Sequence, residues 1–432
     1  MGCSKNETPT PRPDAQEWPK PDPDPENQES NEPEDEIYFS YYSDPNESDL
    51  YNWTDRWIVI HNQDGELLDY RSFKKGDSLD FEGSLENSKH TNTLSITTLN
   101  YRPGKEGGNF HSLGTVTGIK KGTVWDWTDD IEPTITDPPN SAQYQIRITI
   151  HNIPNVQHFL ISSQFDITSI AGSPFYQETN ILEIGGARLQ KDRDYLISVR
   201  DGNDEIKYLW FEVEDPTSNI TLDYNDFQDY DYIIEIELPE YEGYNLGVGA
   251  KNKSHNYARF LDINREDDGN QVRSTAKLGY LDGYDTFQTY LYFDYDKDVR
   301  YSFYKYGGRP TNINVPPYPQ FQAENNSIYN YNFTTNVEYY WNTSYWIYTD
   351  LEQDNTTRYS ISGKSEGAPI IGTLPDQIQE KFPHLNLDNL EYEETALAIG
   401  ENIDFKSDDR TSLFGFGTVT FSERLIFKNP DK

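Results

Sequence analysis

The stretch QYQIRITI at residues 143–150 decides the fold class, because its apolar residues recur at every second position. Successive side chains of a β-strand point to opposite faces, so this period of two is typical of a strand with one buried face. Tyr144, Ile146, Ile148 and Ile150 are therefore predicted to face a core, and the polar residues between them are predicted to face water.

Short runs of the same kind fill the chain from residue 37 onward. Arg56 to His61 and Lys207 to Val213, for example, are rich in β-branched and aromatic residues, and turn residues separate such runs. Helical periodicity is scarce, and the best candidate for a helix is Pro375 to Phe382, which Pro383 ends. We predict an all-β chain of two to three antiparallel β-sandwich modules in tandem, immunoglobulin-like or transthyretin-like, with one or two short helices.

Composition indicates where these modules divide. Residues 1–36 hold eight of the 25 prolines, and 11 acidic residues against three basic ones. Such a segment cannot bury enough apolar surface to offset the entropy lost on ordering, so we predict a disordered, acidic, proline-rich tether. Prolines at 133, 138 and 139, and the segment 239–253, mark the further divisions. The predicted modules are residues 37–132, 141–245 and 254–432.

Charge and cysteine content exclude several classes of protein. The 432 residues include 74 acidic and 36 basic ones, which gives a net charge of −38. Phosphate contacts need clustered lysine and arginine, so we expect no nucleic-acid partner. The single cysteine excludes an internal disulfide and a zinc site built from several thiolates. No run of 18 or more apolar residues occurs, so no membrane-spanning helix is predicted.

The only cysteine, Cys3, is predicted to carry lipid. The small residue Gly2 precedes it, as at the end of a bacterial lipobox, and that interpretation requires a signal that has been removed. Met1-Gly2-Cys3 also resembles the start of a myristoylated and palmitoylated chain. The myristoylation pattern has Ser or Thr at position 6, where this chain has Asn6. An incidental cysteine is the third alternative.

Cys3-Ser4-Lys5-Asn6-Glu7, with the acidic tether and the Tyr/Asn/Asp-rich β sequence that follow, resembles the outer-membrane surface lipoproteins of the Bacteroidota. The specific resemblance is limited to residues 1–36. It implies anchoring in the bacterial outer membrane through acyl chains on Cys3, and display on the cell surface. The partners expected from it are the membrane itself and either a polysaccharide or an outer-membrane protein complex.

Aromatic residues supply the candidate ligand-binding site. In residues 329–333, rings alternate with amides, and further rings follow closely in the sequence. An exposed ring can stack on a sugar, while neighbouring Asn or Asp side chains bond its hydroxyls. The same rings could instead fill a leucine-poor core or form a protein-binding patch. The candidate residues are Trp125, Trp127, Tyr329, Tyr331, Trp341 and Trp346.

Two patterns approach known sites of metal binding or catalysis. Asp294, Asp296 and Asp298 alternate as at the start of an EF-hand loop, but Val299 and Lys305 stand where that loop needs Gly and Glu. We therefore predict no cofactor, with a structural calcium at these three aspartates as the alternative. Residues 363–367 match Gly-x-Ser-x-Gly, yet the sequence after them cannot begin the helix that a nucleophile elbow requires. We predict no catalytic residue and no enzyme activity.

These observations favour a non-enzymatic cell-surface lipoprotein that binds an extracellular ligand, a glycan or a protein, or serves as an accessory subunit of an outer-membrane complex. One alternative is a fimbrial or adhesin-type structural protein, whose exposed strands would pair with a neighbouring chain. The other alternative is a surface hydrolase.

Overall fold

A computed structural model describes most of the chain after the amino-terminal segment. The predicted lipidation residue Cys3, the predicted tether up to residue 35 and the prolines of the first predicted module division lie outside the described residues. The described residues are 36–45, 52–83, 93–104, 108–127, 143–156, 158–163, 166–172, 176–178, 180–215, 217, 219–251, 257–265, 274–364, 370–399 and 421–430.

The described chain is all-β, which confirms the predicted fold class. One α-helix, α1 (Asp376–Lys381), and one 3-10 turn at Tyr224–Asp226 accompany the strands within these residues. No helix among them is long and apolar enough to cross a membrane. In chain order the strands are β1 Glu36–Tyr42, β2 Asp55–Asn62, β3 Leu67–Ser72, β4 Ser78–Gly83, β5 Thr93–Pro103, β6 Asn109–Lys120, β7 Thr123–Asp126, β8 Gln143–Ile153, β9 His158–Ser163, β10 Asp166–Gly172, β11 Tyr176–Glu178, β12 Asn180–Gln190, β13 Asp194–Arg200, β14 Ile206–Glu212, β15 Ile220–Asp223, β16 Gln228–Asp229, β17 Tyr232–Glu237, β18 Gly243–Lys251, β19 Tyr257–Arg265, β20 Thr275–Tyr280, β21 Thr286–Asp294, β22 Val299–Gly307, β23 Phe321–Asn325, β24 Asn332–Thr335, β25 Trp341–Asp350, β26 Asn355–Lys364, β27 Glu391–Ala398 and β28 Phe421–Lys428.

A twelve-stranded sheet joins segments that are far apart in the sequence. Its strand order is β19-β18-β21-β22-β28-β27-β25-β26-β6-β5-β2-β3. All of its strand pairs are antiparallel except β6 with β26, which run parallel from Asn109 beside Asn355 to Val116 beside Ser362. Strands of the first and third predicted modules therefore share one sheet. The module boundaries themselves stay predictions.

Both faces of this sheet are covered at its β2 end. Trp57 and Val59 on one face, and Ile58 and Ile60 on the other, are all buried. A strand buried on both faces reads as a continuous apolar run, which explains the sequence WIVI at 57–60. The small sheet β4-β1-β7 packs its aromatic rings over Ile58 and Ile60.

Helix α1 belongs to the segment that covers the opposite face. Its amino end lies at Pro375, whose carbonyl accepts the amide hydrogens of Ile378 and Gln379, as the proline pattern predicts. Ile378 and Phe382 are buried in one cluster with Trp57 and Val59. The short helix is therefore held by packing rather than by its own six residues.

Two further sheets, β10-β9-β13-β14-β16 and β11-β12-β8-β15, enclose a separate core. Ile146, Ile148 and Ile150 on β8 are buried in it, as the period of two predicts, whereas Tyr144 near the strand start is 38% exposed. Next to this unit, the two-stranded sheet β17-β20 packs over β18 and β21.

Candidate functional site

Four of the six predicted ligand-binding rings are core residues. Trp125, on β7 of the small sheet, and Trp341, on β25 of the large sheet, are buried in the core between these two sheets, while Tyr331 and Trp346 are buried on the opposite face of the large sheet. Trp346 is 1% exposed, so its indole has no face left for a ligand. For these four rings the structure supports the core alternative instead of an exposed stacking platform. The fifth ring, Trp127, is half-buried against Tyr41, with 6.5 Å between ring centroids.

The sixth ring, Tyr329, is 50% exposed and borders a surface cleft of about 480 Å³. Three segments of the chain meet there: the turn between β23 and β24, the segment between α1 and β27, and the residue just after β28. The walls carry carboxylate, amide and hydroxyl groups, and the floor is apolar and aromatic. The lining residues are Asn326, Ser327, Ile328, Tyr329, Leu387, Asp388, Leu390, Glu391, Tyr392 and Asn429.

The turn that carries Tyr329 is held by hydrogen bonds at both of its ends. The Asn325 side chain accepts the Ser327 amide at 2.9 Å, and the Ser327 carbonyl accepts the Asn330 amide at 3.1 Å. The buried indole of Trp346 donates to the Asn326 carbonyl at 2.7 Å. Trp346 thus acts on the cleft from below, by fixing the backbone that presents the Tyr329 ring.

The facing wall is a second short turn, which presents Asp388. The Asn386 side chain accepts the Asn389 amide at 3.0 Å, a local bond from side chain to backbone of the kind that Asn forms in turns. The Tyr329 hydroxyl donates to Asp388 across the cleft at 3.2 Å. Burial first, and then the negative charge of Asp388, raise the pKa of Tyr329 above its ordinary value. The phenol therefore stays protonated and remains a hydrogen-bond donor.

A network of buried hydroxyls supports the floor. Tyr392 donates to Thr395 at 2.9 Å, Tyr331 also bonds to Thr395, and Ser344 lies 2.7 Å from the same hydroxyl. The rings of Tyr331 and Tyr392 are stacked with 5.3 Å between centroids, and Trp346 meets Tyr331 edge-on. Burial is the main cause that raises the pKa of Tyr392, so its hydroxyl too remains protonated. This packed and hydrogen-bonded floor predicts a rigid, preformed cleft.

The predicted calcium ligands are engaged with the protein's own groups. Asp294 forms an ion pair with Arg300, and one oxygen of Asp296 accepts the backbone amides of Asp298 and Val299. No group of three or more His, Cys, Asp or Glu side chains within the described ranges could hold a metal ion. The alternation of aspartates is explained by a turn between β21 and β22, and the calcium alternative finds no support here.

Sequence reasoning missed the polar side of the cleft. Asn326, Asp388, Glu391 and Asn429 come from three segments, and no spacing in the sequence indicates that they meet. The only local signals are the Asn-rich turns at 325–327 and 386–389, which mark loops without indicating their neighbours.

Comparisons with known proteins leave the family open. No family model matches the chain, and no curated protein matches it. Solved structures with weak likeness include the Bacillus anthracis TIE protein, at 11% identity over 80% of this chain and a TM-score of 0.13. The chain covers 63% of the length of that protein.

Two adhesins are similar to the chain at the same low level. One is a Ca²⁺-stabilized, ice-binding adhesin of an Antarctic bacterium, at 5% identity, 72% of this chain, 89% of that chain and a TM-score of 0.12. The other is a tetra-tandem repeat from the extending region of a large adhesion protein. It is 9% identical, the match covers 83% of this chain and 94% of that chain, and the TM-score is 0.12. The weak structural neighbours are thus adhesin-like, and at these TM-scores the likeness carries no argument about function.

Proposed function

We propose that this protein is a non-enzymatic, lipid-anchored cell-surface protein that captures a glycan in the cleft beside Tyr329. The observation that carries the proposal is the arrangement of one half-exposed ring between polar walls, over a rigid aromatic floor. A sugar offers an apolar ring face and a rim of hydroxyl groups. The cleft offers the complementary pair, which is a ring for stacking and oxygen or amide groups for hydrogen bonds.

The charges of the cleft favour a neutral sugar. Asp388 and Glu391 both line it, and no lysine or arginine is among its lining residues in the part of the chain that the structure describes. A carboxylate or sulfate on the ligand would meet like charge, in a molecule whose net charge is already −38. Carboxylates also accept hydrogen bonds from hydroxyl groups, and such charge-assisted bonds are stronger than neutral ones.

The proposed location at the cell surface is based on Cys3 and on the composition of the segment after it. Acyl chains on Cys3 would hold the protein at the bacterial outer membrane, and the acidic, proline-rich tether would keep the β-domains away from its surface. Either glycan capture alone or work as an accessory subunit of an outer-membrane complex fits this address.

Affinity electrophoresis in gels that contain neutral polysaccharides tests the proposal. We expect one of a panel of glucans, mannans and xylans to retard the protein, and Tyr329→Ala to abolish the retardation. Tyr329→Phe should keep most of it, because the ring face is retained. Tyr144→Ala, which removes a comparably exposed ring from another sheet, is the matched control and should migrate as the wild type does.

Two results would contradict the proposal. Release of reducing ends from the retained polysaccharide, lost in Glu391→Gln, would make the protein a hydrolase. Concentration-dependent polymers in solution would favour a fimbrial subunit.

Strand addition at β3 is disfavoured by the charges there, since Asp69 and Arg71 form an ion pair at 3.0 Å and Arg71 also donates to the Asp80 carbonyl on β4.

A further inference from the structure

A second exposed tyrosine, Tyr318, lies in the loop that leads into β23. This loop has the sequence VPPYPQ at 315–320, and Tyr318 within it is 54% exposed. Tyr329, the exposed ring of the cleft, lies in the turn after the same strand. The two rings therefore stand beyond opposite ends of β23, which has five residues and is about 16 Å long at about 3.3 Å per residue.

The hydroxyl of Tyr318 is held in the same way as that of Tyr329. The Tyr318 hydroxyl donates to Asp296 at 2.6 Å. The Tyr329 hydroxyl donates to Asp388 at 3.2 Å. The bond to Asp296 first, and then burial, raise the pKa of Tyr318 to about 12, so its phenol stays protonated at neutral pH. An aspartate therefore fixes each of the two exposed rings by its hydroxyl group.

The backbone that presents Tyr318 is fixed by a buried aromatic residue, as the turn of the cleft is. Tyr295 is buried and donates its hydroxyl to the Pro316 carbonyl, and its ring meets the Tyr318 ring edge-on with 5.5 Å between centroids. In the cleft, the indole of Trp346 has this role. Prolines at 316, 317 and 319 also restrict the loop, because the proline ring fixes the φ angle. The Tyr318 ring is therefore preorganised, which lowers the entropy lost when a ligand binds.

Main-chain contacts connect the cleft with the surroundings of Tyr318. Asn429, which lines the cleft, directly follows Lys428 at the end of β28. The Lys428 amide donates to the Asp298 carbonyl at 2.8 Å. Asp298 belongs to the turn between β21 and β22, and this turn also carries Asp296, the partner of Tyr318. The cleft and the Tyr318 ring thus lie at the same end of the large sheet, where β28 ends and β22 begins.

We propose that Tyr318 is a second sugar-binding position, and that the ligand of the cleft is a polysaccharide chain that lies across both rings. This inference rests on the proposed function of the cleft, and it adds the class of ligand, which is a chain of several neutral sugars instead of a single sugar. One ring alone would suit a short ligand. Two preorganised rings about 16 Å apart suit a ligand that offers a sugar face to each of them.

The side chains between the two rings suit an uncharged chain. Lys428 is exposed there, and its ammonium group donates to the Lys297 carbonyl at 3.3 Å. The ammonium group of Lys297 lies 3.8 Å from the Asp298 carboxylate. Sugar hydroxyls can accept hydrogen bonds from ammonium groups and donate them to carboxylates. A chain that carries charges of one sign would meet like charges along this path, so the mixture of lysine and aspartate favours a neutral polymer.

Calorimetric titration of the full chain with oligosaccharides of increasing length tests the inference. The probes are cello-, manno- and xylo-oligosaccharides, each from the disaccharide to the hexasaccharide. In the series that binds, we expect the wild type to bind the hexasaccharide more tightly than the disaccharide. Tyr318→Ala should weaken hexasaccharide binding about fivefold, the loss expected for one stacking contact, and should leave disaccharide binding unchanged. Tyr318→Phe should keep most of the affinity, because the ring face is retained.

Tyr144→Ala is the matched control, because it removes an exposed ring from another sheet and should bind every probe as the wild type does. Unchanged hexasaccharide affinity in Tyr318→Ala, with binding still lost in Tyr329→Ala, would overturn the second position and leave the cleft as the binding site. Equal losses for the disaccharide and the hexasaccharide in Tyr318→Ala would indicate a distorted cleft and would also overturn it. No binding of any probe or polysaccharide, or full binding in Tyr329→Ala, would overturn the proposed function and this inference together.

Discussion

Acidification should destabilise the fold through the buried histidine of β6, His111. The imidazole is 1% exposed and packs against the rings of both Tyr101 and Phe382, at centroid distances of 5.1 and 5.7 Å. Burial first, and then the charge of His384, lower the pKa of His111 from 6.5 to about 4. A bond to the backbone at Thr356 opposes this shift without cancelling it.

The lowered pKa of His111 determines the direction in which stability changes with pH. Above pH 6.5 the histidine is neutral in both the folded and the unfolded chain, so its protonation does not change the free energy of unfolding. Between pH 6.5 and about 4 the unfolded chain takes up a proton that the folded chain does not, and the free energy of unfolding falls. Below about pH 4 both states are protonated and the loss stops growing. At about 1.4 kcal/mol for each tenfold difference in proton affinity, the full loss is about 3 kcal/mol.

Urea unfolding at pH 7 and pH 5 measures this effect. Of the full loss, about 2 kcal/mol should occur between these two pH values. We expect His111→Gln to be less stable than the wild type at pH 7, and to lose about 2 kcal/mol less on going to pH 5. His61, buried on β2 with its ring nitrogen donating to the Thr373 carbonyl at 3.0 Å, also has a lowered pKa and should add to the loss in the wild type.

His151→Gln is the control, because His151 is half-exposed on β8 and lies in a different sheet. It should keep the pH dependence of the wild type. If His111→Gln loses as much stability between pH 7 and pH 5 as the wild type does, His111 is protonated in the folded state near pH 6 and the argument from burial is wrong.

Three further predictions concern the core, the aspartate turn and the anchor. Tyr359→Phe should lower the free energy of unfolding by about 1 kcal/mol, because its buried hydroxyl bonds to Thr115 at 2.6 Å; an unchanged urea midpoint would contradict this. EDTA should leave the melting temperature unchanged, because Asp296 already accepts backbone amides; a fall that Ca²⁺ reverses would show a bound ion. Cys3→Ala, expressed with a native leader in a bacterial host, should move the protein from the membrane pellet to the supernatant; sedimentation that persists in high salt would argue against lipidation.

The strands and the helix could be predicted from the sequence because the patterns that indicate them extend over only a few residues. The apolar alternation of 143–150 and the prolines that flank α1 act over a few residues, and the structure has a strand and a helix at those positions. The one exception on β8 is Tyr144, which has the right parity but lies near the strand start, beyond the buried part of the core. Parity determines which face a side chain takes, and it does not determine how far the covering layer extends.

The aromatic residues were harder to assign, because the same side chain suits a core and a binding surface. Tyr329 and Tyr331 have the same parity in the sequence, yet one borders the cleft and the other is buried under it. The difference arises because residues 327–330 form a turn, and the second ring follows where the chain turns back into the core. Turn geometry interrupts the period of two, and the sequence alone does not show where that occurs.

Composition and short-range pattern were enough to establish that the chain is all-β and strongly acidic, that its amino-terminal segment differs in composition from the rest, and that a short helix lies between two prolines. Neither composition nor short-range pattern shows which strands pair with each other in a sheet. The parallel pairing of β6 with β26 joins residues about 250 positions apart, and the cleft likewise depends on neighbours that are distant in the sequence. Strand pairing uses backbone hydrogen bonds that every residue except proline can form, so its choice of partner is settled by the packing of whole faces.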